Sequence, residues 1–181
     1  MTVTFNIQEK DLVTLQLFLA SISDNIRKKR QKTKYVIPVF YVLIAIVGVV
    51  TGQKVAAISF LSGAVLWILF YPLWERKSYR KHFATFIREH MKNRFENTLS
   101  MEITNDFLFA REHQNENKTP VSEIERMQEI GELFLIRLKG GSTFFIPKEQ
   151  IAEQQQLRAR LQKLAQHLKV DYTIDNEWKW K

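Results

Sequence analysis

Two stretches decide the fold: YVIPVFYVLIAIVGVVTG at residues 35–52 and VAAISFLSGAVLWILFYPLW at residues 55–74. Neither contains Asp, Glu, His, Lys or Arg. At about 1.5 Å of rise per residue, helices of this length reach roughly 27 to 30 Å, the thickness of a hydrocarbon core. Only Gln53 and Lys54 separate them, so they read as a helical hairpin whose single turn lysine can snorkel to the interface. Buried as soluble helices, two successive runs without a polar face would need a core larger than the rest of the chain could enclose. The first run starts at residue 35 and lacks a small-residue cleavage pattern, so it reads as a retained span and not as a signal peptide.

Charge explains the orientation. The chain has 181 residues and a formal charge of +8. Residues 1–26 and 95–181 each carry a net −2, so the whole surplus lies in residues 27–94, at net +12. Arg27, Lys28, Lys29, Arg30, Lys32 and Lys34 precede the first run. Arg76, Lys77, Arg80, Lys81, Arg88, Lys92 and Arg94 follow the second, against Lys54 alone between them. By the positive-inside rule both ends are cytoplasmic, and Tyr35, Trp67, Tyr71 and Trp74 suit the aromatic belt. The same collar, chiefly Arg27, Lys28, Lys29, Arg30, Lys32, Lys34, Arg76, Lys77, Arg80 and Lys81, is a candidate site for anionic lipid headgroups. Nucleic acid is not expected as a partner, since the cytoplasmic mass is slightly acidic and no zinc-finger or RNP pattern occurs.

Within the runs, Gly48 with Gly52 and Ser59 with Gly63 form small-xxx-small pairs that let backbones approach. Packing inside the hairpin is the simpler reading, with homodimerisation left open. Pro38 and Pro72 lie about one turn inside the cytoplasmic ends, where a missing hydrogen bond is best tolerated. No acid, histidine or cation lies at membrane depth, which argues against a proton relay or transporter built from this chain.

The flanking segments read as α+β. Val3, Phe5 and Ile7 alternate along a short strand, and Leu12, Leu15, Leu19, Ile22 and Ile26 form one stripe of a helix from about Glu9 to Ile26. Its polar face carries Glu9, Asp11 and Asp24, which favours packing on the cytoplasmic domain over lying on the membrane. The second span is expected to continue as a helix to about Asn97. Beyond it, Ser100–Thr104, Phe107–Arg111, Arg126–Ile130, Leu133–Leu138 and Ser142–Ile146 read as an antiparallel meander of four or five strands. Glu112–Pro120 reads as a polar loop, and Ser122 with Glu125 has capping-box spacing. Pro147 suits the first turn of an amphipathic helix carrying Ile151, Leu157, Leu161, Leu164 and Leu168, which covers one face of the sheet. Tyr172–Ile174 adds a final strand. Trp178 and Trp180, flanked by Lys179 and Lys181, either touch the interface or form a mobile end. The divisions are residues 1–34 (strand and amphipathic helix), 35–74 (hairpin, as 35–52 and 55–74), 75–98 (helical extension) and 99–181 (α+β domain, resembling a small pleckstrin-homology-like module).

This order of parts, with Ile124, Met127, Leu133–Leu138 and then Phe145-Ile146-Pro147-Lys148 ahead of a helix, resembles the YcxB-like family of bacterial membrane proteins. The opening strand, the helix with Asp11 in its first turn and the two spans are also similar to that family. Where many relatives carry Trp before the serine at Ser122, this chain has Val121. The resemblance implies a bacterial inner-membrane location and supplies no activity, the family being of uncharacterised function.

No cysteine is present, which removes disulfides, thiolate metal sites and cysteine nucleophiles. His82, His90, His113 and His167 are scattered, and no phosphate loop or nucleophile motif occurs, so neither catalysis nor a cofactor or metal is expected. The expected function is non-enzymatic: a membrane anchor presenting a cytoplasmic module to a partner protein or lipid headgroup, with Lys148 at the strand-to-helix junction as a candidate on the module surface. The alternative is a small membrane subunit or immunity-type protein acting through the hairpin itself.

Overall fold

The structure is a computed structural model that describes residues 1–92, 95, 97–112 and 115–180. It is α+β and divides into two compact units: a sheet unit of Met1–Leu15 with Thr85–Lys179, and a helical unit of Gln16–Ala84 with Trp180.

The helical unit is built from α2 (Asp24–Val50) and, as far as Ala84, α3 (Lys54–His90), preceded by the second half of α1 (Glu9–Ile22). The stripe expected to run unbroken to Ile26 is interrupted. Ser23 is extended and its hydroxyl accepts from the Ile26 amide, so it caps α2, and Ile26 belongs to that helix. At the other end of α2, Gly52 adopts φ +76 and its amide donates to Val49 O, while Gln53 N donates to Gly48 O. This is the paired closure that a left-handed residue permits after a helix. The two long helices meet along one narrow seam. Pro38, Ala45, Ala57, Ala64 and Tyr71 are buried there, and the Tyr41 and Phe60 rings meet edge to face at 5.9 Å. Most of the remaining apolar side chains at 35–74 are uncovered: Val47 is 61% exposed, Val50 and Val55 81%, Leu69 63%.

The sheet unit holds two four-stranded sheets where the sequence predicts one meander. The first is antiparallel throughout, in the order β1 (Thr2–Asn6), β2 (Thr98–Ile103), β3 (Phe107–Glu112), β4 (Asn115–Pro120). The N-terminal strand is thus part of this unit, in register from Thr2↔Glu102 to Asn6↔Thr98. The stretch read as a polar loop is β4, paired from Phe107↔Pro120 to Glu112↔Asn115. An edge strand facing water on both sides carries no apolar alternation, and its backbone bonds to β3 hold it regardless. Only Thr119 among its residues is buried.

The second sheet runs β7 (Thr143–Pro147), β6 (Leu133–Leu138), β5 (Ile124–Ile130), β8 (Asp171–Asp175), with β8 parallel to β5. In β6, Leu133, Phe134, Leu135 and Ile136 are all buried, so this strand is covered on both faces. Helix α4 (Gln154–Leu168) covers one side and buries Leu157, Leu161, Leu164 and Ala165, at the expected spacing. It begins later than Pro147, which closes β7 instead. A single 3₁₀ turn, Lys148–Gln150, intervenes, and Ile151 is again extended. A second 3₁₀ turn, Val121–Glu123, precedes β5 and follows Pro120 without the expected Ser122 cap. The core gathers Val3, Phe5 and Ile7 with Met101, Ile103, Leu108, Met127 and Ile146, and the Phe5 and Phe145 rings lie 6.0 Å apart.

The start of α1 belongs to the same unit. Leu12, Val13 and Leu15 are buried, Glu9 pairs with Arg88, and Lys10 pairs with Glu149. That favours packing over membrane contact for this part of the helix.

Candidate functional site

The collar cations divide by helix face. Arg30 lies on the seam of the helical unit, where its Nε and Nη2 each donate at 2.9 Å to the Glu75 carboxylate. Glu75 is buried and also accepts from the Tyr71 hydroxyl at 3.1 Å. The Arg30 guanidinium lies 4.5 Å over the Trp180 ring, which in turn lies 5.3 Å from the Tyr79 ring. Arg30 is therefore withdrawn from the collar. A buried carboxylate is costly without a hydrogen-bonded counter-charge, and Arg30, at the seam position of α2, supplies a bidentate one. Trp180 is neither a free end nor an exposed anchor, being buried within the helical unit. Arg27 pairs with Asp24 at the surface, and Lys34 lies 5.5 Å from the Tyr35 ring. Lys28, Lys29, Lys32, Arg76, Lys77, Arg80 and Lys81 are exposed and form no ion pair among the described residues. Arg88 is bound to Glu9 in the sheet unit. Arg94, His113 and Lys181 lie outside the described residues.

Of the small residues, Gly48 and Gly63 work in the seam. A Cβ on Gly48 would stand 3.4 Å from the Ala57 side chain, and one on Gly63 3.2 Å from the Tyr41 ring. Gly52 makes the turn, with nothing within 4 Å of a Cβ placed there, and Ser59 is exposed, its hydroxyl donating to Val55 O. Those two are not packing residues. The spacing of four could not separate a seam glycine from a capping glycine, because both fall at the end of one helix.

Lys148 is not on the module surface. It is 8% exposed, held by the 3₁₀ turn after β7, and its ammonium donates to Gly131 O at 3.0 Å and Asn176 Oδ1 at 2.8 Å. It also lies 3.1 Å from Glu129 Oε2. Glu129, on β5, is fully buried and receives two hydrogen bonds from Arg158 on α4, at 2.7 and 2.8 Å, and one from the Tyr172 hydroxyl on β8 at 2.6 Å. Burial alone would raise its carboxyl. The donors from Arg158, Tyr172 and Lys148 together outweigh that and hold it down at about 2. The same burial and the facing carboxylate push the Tyr172 phenol far up. This network joins β5, the turn after β7, β8 and α4, both Glu129 oxygens accept within it, and it reads as a structural clamp. Glu129, Arg158 and Tyr172 were missed in the sequence because a charged side chain on a short strand ordinarily reads as solvated. A clue existed in the strand pattern: Glu129 stands between Met127 and Ile130 in a strand flanked by apolar chain.

One more titratable group is buried. Asp11, in the first turn of α1, is 2% exposed, and its Oδ2 has no hydrogen-bond partner. Burial pushes its carboxyl up to about 6. The Glu149 and Glu132 carboxylates add to this, and Lys10 and the Gln8 backbone oppose it. No group of three His, Cys, Asp or Glu side chains able to hold a metal occurs among the described residues.

Compared with known proteins, the chain matches no family model, no curated protein and no solved structure.

Proposed function

We propose that this chain is a two-pass protein of a bacterial inner membrane, with both ends cytoplasmic, whose sheet unit is a non-enzymatic module that binds a partner protein. The observation that carries the membrane reading is the uncovered apolar surface of α2 and α3, each long enough to span. In water that surface would far exceed the exposed apolar patches soluble monomers carry, whereas lipid solvates it at no cost. The asymmetry of the flanking cations supports the orientation. The resemblance to the YcxB-like family supports the bacterial location. Two four-stranded sheets and an amphipathic helix support a pleckstrin-homology-like description of the module, with β8 as an addition after the helix.

Two experiments test this. Alkaline carbonate extraction of membranes from expressing cells should leave the full chain in the pellet, and tags on both ends should be protected from outside the cell. Recovery in the supernatant, or a tag labelled from outside, refutes the reading. For the module, replacing residues 35–52 and 55–74 with unrelated spans should retain partner capture by cross-linking. Loss of capture with insertion intact would favour the alternative, a subunit acting through the hairpin. The full chain is needed because β1, at the N-terminus, completes the first sheet.

A further inference from the structure

We propose that the outward cations of the collar form two ridges that select anionic phospholipids from the surrounding leaflet, an inference that rests on the membrane reading above. At 100° per residue, the Arg30–Glu75 pair fixes which sides of α2 and α3 face each other. Lys28 and Lys32, four residues apart, then project roughly opposite Arg30, and Lys77, Arg80 and Lys81, at spacings of three and one, roughly opposite Glu75. All five are exposed, and none is in an ion pair among the described residues. The only carboxylate between Asn25 and Lys81 is Glu75, and Arg30 occupies it. The ridges thus keep their full charge.

Their position along the helices selects the partner. Tyr35 and Trp74, both exposed, mark the ends of the apolar runs, and the ridges begin within one turn of each. Cations at that height meet lipid phosphates, and because they point away from the seam they meet the headgroups of lipids that surround the hairpin. Positive-inside insertion requires only the number of these charges. That five of the collar's cations stand opposite the seam while one arginine is taken inward by Glu75 is an added feature.

The test reconstitutes the full chain in bilayers containing phosphatidylglycerol or phosphatidylcholine with brominated acyl chains and reads quenching of tryptophan fluorescence, for which Trp74 is exposed at the right level. The expected result is a preference of about fivefold for phosphatidylglycerol, equivalent to about 1 kcal/mol from one surface cation. It should fall as salt is raised and approach parity in the combined variant K28Q, K32Q, K77Q, R80Q and K81Q, while K54Q keeps it. Equal quenching by the two lipids, in protein that resists carbonate extraction, overturns the ridges and leaves the membrane reading intact; a chain released by carbonate overturns both. Should the combined variant fail to fold, a salt-insensitive preference in the unaltered chain overturns the proposal. Loss of the preference on adding inorganic phosphate, at an ionic strength where sodium chloride leaves it intact, would do the same, by assigning the ridges to soluble anions.

Discussion

Asp11 gives the sharpest test of the sheet unit's energetics. Its carboxyl is pushed from the ordinary 3.8 to about 6 by burial, with Oδ2 unpartnered. A carboxyl raised in the folded state favours folding fully below the unfolded value, near pH 4, and that contribution is lost as pH rises through 6. A shift of about two units corresponds to about 3 kcal/mol between acid and neutral solution. Asp11→Asn keeps an acceptor for the Gln8 backbone and removes the charge, at the cost of a buried amide donor without a clear acceptor. The net gain expected at neutral pH is therefore about 1 to 2 kcal/mol. The assay is thermal unfolding of the full chain in detergent at several pH values, for the original and the Asn variant. The variant should melt higher near neutrality, and the two curves should converge or cross as pH approaches about 4. A variant no more stable than the original at neutral pH, or a difference that does not change with pH, would show that the carboxylate is solvated and refute the argument.

Glu129→Gln should be among the most damaging single changes, costing about 3 to 5 kcal/mol in denaturant unfolding, because it strands the Lys148 and Arg158 charges. Since its carboxyl is held at about 2, the stability Glu129 supplies is present above its ordinary value of 4.5 and is lost as pH falls toward about 2. That loss should appear as acid unfolding below the range in which Asp11 acts. In the hairpin, Gly63→Leu should separate the seam, since even a Cβ there stands 3.2 Å from the Tyr41 ring. A cysteine pair across the seam at Gly48 and Ala57, whose Cβ atoms would stand 3.4 Å apart, would then cross-link less readily on oxidation than with Gly63 in place. Lys169 ends α4 in the left-handed region at φ 56, so Lys169→Gly should raise stability by about 0.5 to 1 kcal/mol, read as a shift in the denaturant midpoint.

Much of this architecture was legible residue by residue. Unbroken apolar runs at 35–52 and 55–74 define two helices whatever surrounds them, because every backbone group bonds within its own helix and the side chains leave no polar face. Leu133–Leu138, the strands on either side of residues 105–106 and the Leu157, Leu161, Leu164 stripe were equally readable, since local turn chemistry and the 3.6-residue period do not depend on distant chain. What the sequence concealed was partnership. Whether Lys148 meets water or Glu129, and whether Arg30 meets water or Glu75, depend on which remote segment lies alongside. Those partners are 19 and 45 residues away, and nothing local encodes that proximity. Asn115–Pro120 pairs with the adjoining strand, but with no apolar alternation its pattern does not mark it as one. Hydrophobic pattern fixes how each segment is built, but the pairing of a buried charge is fixed only once desolvation by the assembled fold compels it to find a counter-charge.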